Sequence, residues 1–322
     1  MREIGGYFSL ELSNGTSIDN YNSMMMLNSS RHALEYVILS MEERPDKIHL
    51  PFYTCEVILE PIERLGIDYE FYNIYNNLEL IAYPELGERE WIIVNNYFGI
   101  KDEYINKLSC VFGDKMIIDN AQAFYHIPDK HARAIYSPRK FFGVADGGFA
   151  KTPDKSVIEL ACDTSTDRSL HLLRRLDSGA GAGYGEFKVN DGSLSKEPLK
   201  EMSSLTRAIL YSIDYEVIKE RRRHNFSLLH DALCVNNKLK ISALSTFECP
   251  MVYPYLTDDP NLRQRLIDNK IFVATYWPNV FEWCAKDTVE FNLAKQLIPL
   301  PIDQRYGKED MQHILNVIFD GK

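Results

Sequence analysis

Two residues of this 322-residue sequence could cooperate in amine chemistry, namely Asp119 and Lys140. Asp119 follows the apolar run 116–118, which is typical of a buried strand, and Lys140 lies in the turn-like stretch 136–143. A lysine amine can form a Schiff base with an aldehyde, and a carboxylate can keep a pyridine nitrogen protonated. Pyridoxal phosphate (PLP) needs both groups, so the pair predicts a PLP site. The alternatives are a solvated surface lysine and an aspartate that caps a following helix.

Three motifs extend this interpretation. They are Ser-Ser-Arg-His-Ala-Leu at 29–34, Asp-Asn-Ala-Gln-Ala at 119–123, and Pro-Arg-Lys at 138–140 followed by Gly147-Gly148. In this order they resemble the signatures of the DegT/DnrJ/EryC1/StrS family of PLP-dependent sugar aminotransferases, and in particular a shorter branch of it. The similarity runs from about residue 25 to the end of the sequence.

The resemblance implies an α/β fold, that of the fold-type-I PLP-dependent transferases. We therefore expect a mostly parallel central sheet with helices on both faces and a small C-terminal α+β domain. The expected large PLP-binding domain covers residues 1–235, including an N-terminal extension of about 1–24, and the small domain covers 236–322. A homodimer is also implied, because family members build two sites at a shared interface.

The resemblance assigns cofactor contacts as well as the catalytic pair Lys140 and Asp119. They are Ser29, Ser30, Arg31 and Ser137 around the phosphate, Gln122 near the ring, and Cys55 or Tyr53 on the outer ring face. The backbone at the start of a helix suits a phosphate, since its N–H groups and dipole attract anions. Two alternatives stay open here: Phe52 and Tyr53 could be core residues, and Arg139 could approach either the lysine or the phosphate.

Several positions depart from the family pattern. Ser30 replaces a glycine, Ile135 replaces a serine, and Asn96 stands where the family often has a histidine. The stretch 199–203 lacks the asparagine and arginine that reach the partner subunit's site in many members. Either the glycine-rich loop around 179–190 supplies that contact, or the active site is altered.

The hydrophobic pattern predicts the elements that must position these residues. Buried, non-alternating strands alternate with helices, which is typical of a parallel sheet whose strand ends collect ligands. Predicted strands are 48–50, 69–72, 91–94, 116–118, 251–256 and 271–275; predicted helices begin near 29 and cover 57–65, 103–112, 204–233, 261–269, 289–297 and 308–319. The arginines 221–223 are expected on a solvated helix face.

Composition excludes several classes of partner. The net charge of −10 argues against a nucleic-acid surface. The apolar runs are too short for a membrane span, and the first 20 residues do not have the pattern of a secretory signal. Six scattered cysteines are typical of a cytoplasmic protein with reduced thiols. No histidine or cysteine cluster has metal-ligand spacing, so no metal is expected.

We therefore expect a PLP-dependent aminotransferase acting on a keto sugar, with an amino acid such as glutamate as donor. The sugar is expected to be nucleotide-linked. A dehydratase branch of the family replaces the lysine with histidine, and the presence of Lys140 argues against that branch. The alternative is a PLP-binding or vestigial protein without turnover, to which the departures from the family pattern point.

Overall fold

The computed structural model describes residues 9–13, 15, 21, 23–154, 158–195, 197–245 and 248–320. In the first part of the chain its elements are β1 Met25–Leu27, α1 Ser30–Ser40, β2 Lys47–Pro51, α2 Leu59–Arg64, β3 Asp68–Tyr72, β4 Glu90–Asn95, α3 Asp102–Phe112, β5 Met116–Asn120, β6 Arg133–Tyr136 and β7 Gly148–Lys151. In the second part they are α4 Leu170–Ser178, α5 Tyr184–Ser193, α6 Ser204–Tyr211, α7 Tyr215–Leu233, β8 Val252–Leu256, α8 Leu262–Asp268, α9 Val280–Trp283, α10 Val289–Gln296, β9 Leu297–Pro301 and α11 Lys308–Phe319. Most of the predicted N-terminal extension lies outside the described residues.

The large sheet has the strand order β1-β7-β6-β5-β4-β2-β3. Strands β2 to β6 pair in parallel, while β7 is antiparallel to both β6 and β1. Parallel neighbours bring their carboxyl ends to one edge, so the chain segments after β4, β5 and β6 meet there. The expected mostly parallel sheet is confirmed.

Apolar side chains cover both faces of this sheet. Ile93 and Ile117 are register partners that pack on one face with α1. Their sequence neighbours Ile92 and Ile118 face the opposite way and pack with aromatic residues of a second buried cluster. The runs 91–94 of β4 and 116–118 of β5 are continuously apolar because successive side chains point to opposite faces and both faces are covered there.

The C-terminal part has its own core. Strands β8 and β9 pair antiparallel and are packed by α7, α8 and α11. The buried residues of this cluster begin at Phe226, which lies within α7. The second half of α7 therefore packs with the small domain. The boundary after residue 235 remains a prediction.

Three predicted elements need correction. The helix expected over 204–233 is interrupted, because the Asp214 side chain accepts a hydrogen bond from the Val217 N–H (3.1 Å) and begins a second helix. The strand expected at 271–275 is irregular, and β9, which follows α10 directly, pairs with β8 instead. The glycine-rich loop expected around 179–190 is only a short turn after α4, because α5 begins at Tyr184 and continues to Ser193.

Candidate active site

Asp119 and Lys140 follow neighbouring parallel strands. Asp119 lies in β5 opposite Asn95 of β4 on one side and Ile135 of β6 on the other. Lys140 ends a single 3₁₀ turn, Pro138–Lys140, that begins two residues after β6. Both residues therefore lie at the carboxyl edge of the sheet, the place where parallel α/β sheets bind ligands.

The carboxylate of Asp119 is half-buried and is held by its own turn. Its Oδ1 accepts a hydrogen bond from the Ala121 N–H at 2.8 Å. Burial raises the pKa of Asp119, and the positive charge of Lys140 opposes that rise. The segment that follows Asp119 is a series of turns, so Asp119 does not cap a helix. A further positive charge beside Asp119 would stabilise the ionised form of its carboxyl group.

The Lys140 side chain is exposed and acts on two neighbours. Its charge lowers the pKa of the Cys55 thiol as well as that of Asp119, although burial raises the pKa of that thiol overall. Lys140 therefore influences both Cys55 and Asp119, although the three residues are distant in sequence. Among the motif residues 51–55, Cys55 is the one whose pKa is lowered by the lysine charge.

Phe52 and Tyr53 are packed elsewhere. The Phe52 ring stacks on Phe71 with centroids 4.7 Å apart. Tyr53 is fully buried and packs edge-on against Trp277 with centroids 4.9 Å apart. Phe52 and Tyr53 are therefore packed as core residues, which is one of the alternatives that the sequence left open. Trp277 is buried in the same aromatic cluster.

The Gly147-Gly148 pair brings β7 against the start of α1. A Cβ on Gly148 would lie 2.2 Å from the Ser29 carbonyl oxygen, and Gly147 has a φ of +123° that favours glycine. Ser29 caps α1, since its Oγ accepts from the His32 N–H at 3.3 Å. The glycines thus place the N-terminus of α1, including Ser30, beside the segment that contains the lysine turn.

Two arginines near this edge have acidic partners. Arg31 is buried, and its guanidinium donates to Glu60 at 2.5 Å. Arg139 donates to Asp191 of α5 at 2.8 Å. The Ser137 side chain is buried and makes no capping hydrogen bond with its turn. Among the described residues, no carboxylate pairs with the helix start or with Ser137, so these are the polar groups left for a phosphate.

A buried polar network lies next to Asp119. The Asn96 amide donates to Asp102 (2.7 Å) and to Asn120 (3.2 Å), and the Asn120 oxygen also contacts His126 Nδ1 (3.1 Å). The Gln122 Oε1 accepts from a backbone N–H, while its Nε2 has no partner among the described residues. Burial raises the pKa of Asp102 to about 6 and lowers that of His126 to about 4.

Sequence reasoning placed Arg222 wrongly. It was expected on a solvated face with its neighbours 221 and 223, yet its side chain is fully buried. Its guanidinium donates to the carbonyls of Met251 (3.0 Å) and Phe141 (3.3 Å) and lies over the Phe141 ring at 4.6 Å. Arg222 therefore ties the small domain to the residue next to Lys140. Its location one turn from the buried Phe226 was the available signal.

The stretch 199–203 is held inside its own subunit. Lys200 pairs with Asp163 and Glu197, and Met202 is fully buried. Ser203 caps α6 and donates to the buried Asp146. This segment therefore has its polar groups occupied by neighbours in the same chain.

Other candidate sites are absent from the described residues. They contain no group of three or more His, Cys, Asp or Glu side chains that could hold a metal ion. No helix among them is both long and apolar enough to cross a membrane. The six cysteines are free thiols.

Solved structures share this fold. The sugar aminotransferase CalS13 from Micromonospora echinospora is 14% identical over 97% of this chain and 93% of that chain, with a TM-score of 0.60. The aminotransferase TlmJ from Streptoalloteichus hindustanus is 14% identical over 94% and 88%, with a TM-score of 0.63. A DegT/DnrJ/EryC1/StrS aminotransferase from Brucella abortus is 16% identical over 93% and 86%, with a TM-score of 0.61.

No family model and no curated protein sequence matches the chain. At identities near 15% the structural likeness shows the fold. The fold-type-I architecture that the motifs predicted is thereby confirmed.

Proposed function

We propose that this protein is a PLP-dependent aminotransferase that acts on a keto sugar and takes its amine from an amino acid. The carrying observation is that Asp119 and the Lys140 turn follow the neighbouring parallel strands β5 and β6 and so lie at the same carboxyl edge of the sheet, where the lysine charge lowers the pKa of the aspartate. An amine and a carboxylate at one strand edge are the two protein groups that PLP requires. The shared fold with solved aminotransferases supports the same conclusion.

The residues present fit this cofactor. Lys140 would hold the aldehyde carbon, Asp119 the protonated pyridine nitrogen, and Cys55 the outer ring face. The start of α1 at Ser29-Ser30, together with Ser137, would hold the phosphate. The unpartnered Gln122 Nε2 is a buried donor close to Asp119 in sequence, and a ligand acceptor there would satisfy it.

The bound cofactor supplies an electron sink that stabilises negative charge on a substrate carbon. The protein residues then divide the remaining work. Asp119 would stay anionic and keep the ring nitrogen protonated. Lys140, which is exposed on a single turn, would act as the general base and acid that takes up and returns the proton at the donor's α-carbon. The same lysine would move the proton when the keto sugar receives the amine.

A second candidate is a PLP-binding protein without turnover. The pairing of Arg31 with Glu60 and the internal contacts of Lys200 and Ser203 favour it. These contacts occupy groups that could otherwise bind phosphate or reach a partner subunit. The donor reaction separates the two candidates.

We also propose a homodimer and a cytoplasmic location. Exposed apolar side chains on the α4–α5 hairpin, such as Leu173, Leu176 and Val189, support a protein contact there. The free thiols support a reducing compartment. Light scattering at micromolar concentrations should give twice the 37.2 kDa chain mass. A monomer mass at every concentration would contradict the dimer.

The activity is tested by the donor half of the reaction. PLP-loaded protein is mixed with a panel of amino acids, and conversion of PLP to pyridoxamine phosphate is followed by absorbance. Conversion should occur in the wild type and be lost in Lys140→Ala. Lys107→Ala, which changes an exposed lysine of α3, is the control and should convert normally. Bound PLP without conversion by any amino acid would favour the non-catalytic candidate.

A further inference from the structure

A fully buried histidine, His32, lies in the first turn of α1 and takes no part in the proposed reaction. Its Nδ1 is 2.9 Å from the Ser29 Oγ, and its Nε2 is 2.9 Å from the Glu197 carbonyl oxygen. The ring therefore connects the residue that caps α1 with the segment 197–203, which lies between α5 and α6.

These two contacts define where the imidazole carries its proton. The Glu197 carbonyl can only accept a hydrogen bond, so the His32 Nε2 must donate it. Burial lowers the pKa of His32 to about 4, and the ring therefore carries a single proton at neutral pH. Since that proton is on Nε2, the Nδ1 atom is an acceptor, and the Ser29 hydroxyl donates to it.

The Ser29 hydroxyl is therefore fully engaged as a donor. Its one hydrogen goes to the His32 Nδ1, and its oxygen accepts from the His32 N–H at 3.3 Å. A phosphate dianion offers only acceptor oxygens, so this hydroxyl has no proton left for it. The Ser137 side chain differs, because it is buried at the lysine turn and forms no hydrogen bond within the described part of the chain.

The segment between α5 and α6 also holds the chain on the other side of Ser29. The Asn28 amide donates to the Pro198 carbonyl at 3.0 Å, and the Asn28 side-chain oxygen accepts from the Lys200 N–H at 3.3 Å. Asn28 and His32 thus tie the residues before and after Ser29 to one neighbouring segment. The direction of the first N–H groups of α1 depends on both contacts.

This helix start lies close to the lysine. Burial raises the pKa of the Cys55 thiol, and the positive charges of Lys140 and Arg31 both oppose that rise. Arg31 belongs to the first turn of α1. The helix start and the lysine therefore both lie within electrostatic reach of the same thiol.

We propose that His32 is a positioning residue of the cofactor site. By accepting from the Ser29 hydroxyl and donating to Glu197, it fixes the start of α1 so that backbone N–H groups there contact the phosphate. Ser137 then supplies the hydroxyl donor, and Ser29 contributes by capping the helix. The assignment rests on the proposed function for the identity of the cofactor.

Nitrogen-15 NMR of the PLP-free, full-length protein labelled at histidine tests the place of the proton. The His32 signals are assigned by their absence from the spectrum of His32→Gln. At neutral pH we expect a protonated Nε2 and an unprotonated Nδ1. A proton on Nδ1, or on both nitrogens, would overturn the proposal, because the Ser29 hydroxyl would then be free to donate to a phosphate.

Fluorescence titration with PLP and with its phosphate-free analogue pyridoxal tests the positioning. The ratio of the two affinities isolates the phosphate contacts, and a merely structural role of His32 would leave this ratio unchanged. His32→Ala should lower it by ~10-fold and Ser137→Ala by ~10–100-fold, because contacts to a charged group are lost. His32→Asn keeps an acceptor for Ser29 and His32→Gln keeps a donor for Glu197, so each should lose less than His32→Ala.

His131→Ala, which changes an exposed histidine, is the control and should keep the wild-type ratio. A wild-type ratio in His32→Ala or in Ser137→Ala would overturn the proposal while leaving the donor reaction unaffected. Protein that binds no PLP would overturn the proposed function as well, and that outcome is distinct from an unchanged ratio.

Discussion

Replacing Asp119 with asparagine should slow the proposed reaction without destabilising the fold, and so separate the catalytic role of this residue from its structural role. Asn keeps the size of the side chain and an oxygen that can still accept from the Ala121 N–H. The change therefore removes mainly the negative charge. In the proposed chemistry that charge keeps the pyridine nitrogen protonated.

The sign of the stability effect follows from the pKa of Asp119. Burial raises it, and Lys140 opposes the rise only in part. A carboxylate with a raised pKa in the folded state binds protons more tightly there than in the unfolded chain, so its ionisation destabilises the fold at neutral pH. The PLP-free Asp119→Asn protein should be as stable as the wild type or more stable, by up to about 1 kcal/mol. Its donor reaction should slow by on the order of 10²–10³-fold.

Asp146→Asn is the matched comparison. Asp146 is also buried, but its carboxylate accepts from the Ser203 N–H and hydroxyl and from the Thr206 hydroxyl. An amide there would leave a donor unsatisfied, so we expect a loss of about 1–3 kcal/mol. Urea unfolding of the PLP-free proteins and stopped-flow absorbance with an amino donor give the two quantities. The reasoning is refuted if Asp119→Asn loses stability as Asp146→Asn does while its donor reaction keeps the wild-type rate.

Three further predictions follow from single residues. Arg222→Ala should lower the free energy of unfolding by about 3–5 kcal/mol, because buried carbonyls lose their donor; urea unfolding with Arg221→Ala as control checks this. Gly148→Ala should weaken PLP affinity in a fluorescence titration at least ~10-fold, since the new Cβ would displace the Ser29 carbonyl; unchanged affinity would contradict it. The pKa of Asp102, raised to about 6, predicts a stability loss as pH rises from about 4 to 6, by ~1–3 kcal/mol, which Asp102→Asn should abolish in pH-dependent unfolding.

Much of the fold was predictable because its cause is local. The strand that leads to Asp119 begins with a short apolar run, and the first helix begins at a Ser cap that is readable in the sequence. Strand β6, which precedes Lys140, was not predicted; it pairs in parallel with β5, so the lysine turn and Asp119 lie at the same edge of the sheet.

The rest depends on contacts between distant segments. Three consecutive arginines indicate a solvated face, yet Arg222 finds carbonyl acceptors 29 and 81 residues away in sequence. The strand expected at 271–275 has alternating burial, but the partner strand β8 pairs with β9. The pairing of Arg31 with Glu60 is equally long-range. Composition and periodicity do not encode such partners.

The central claim is that Lys140 carries the cofactor, and one measurement tests it directly. Protein saturated with PLP is reduced with borohydride, digested and mapped by mass spectrometry. The account predicts one pyridoxyl group per chain, located on Lys140, and none on the control residue Lys107. Saturated protein in which Lys140 remains unmodified, or in which another lysine carries the label, would contradict it.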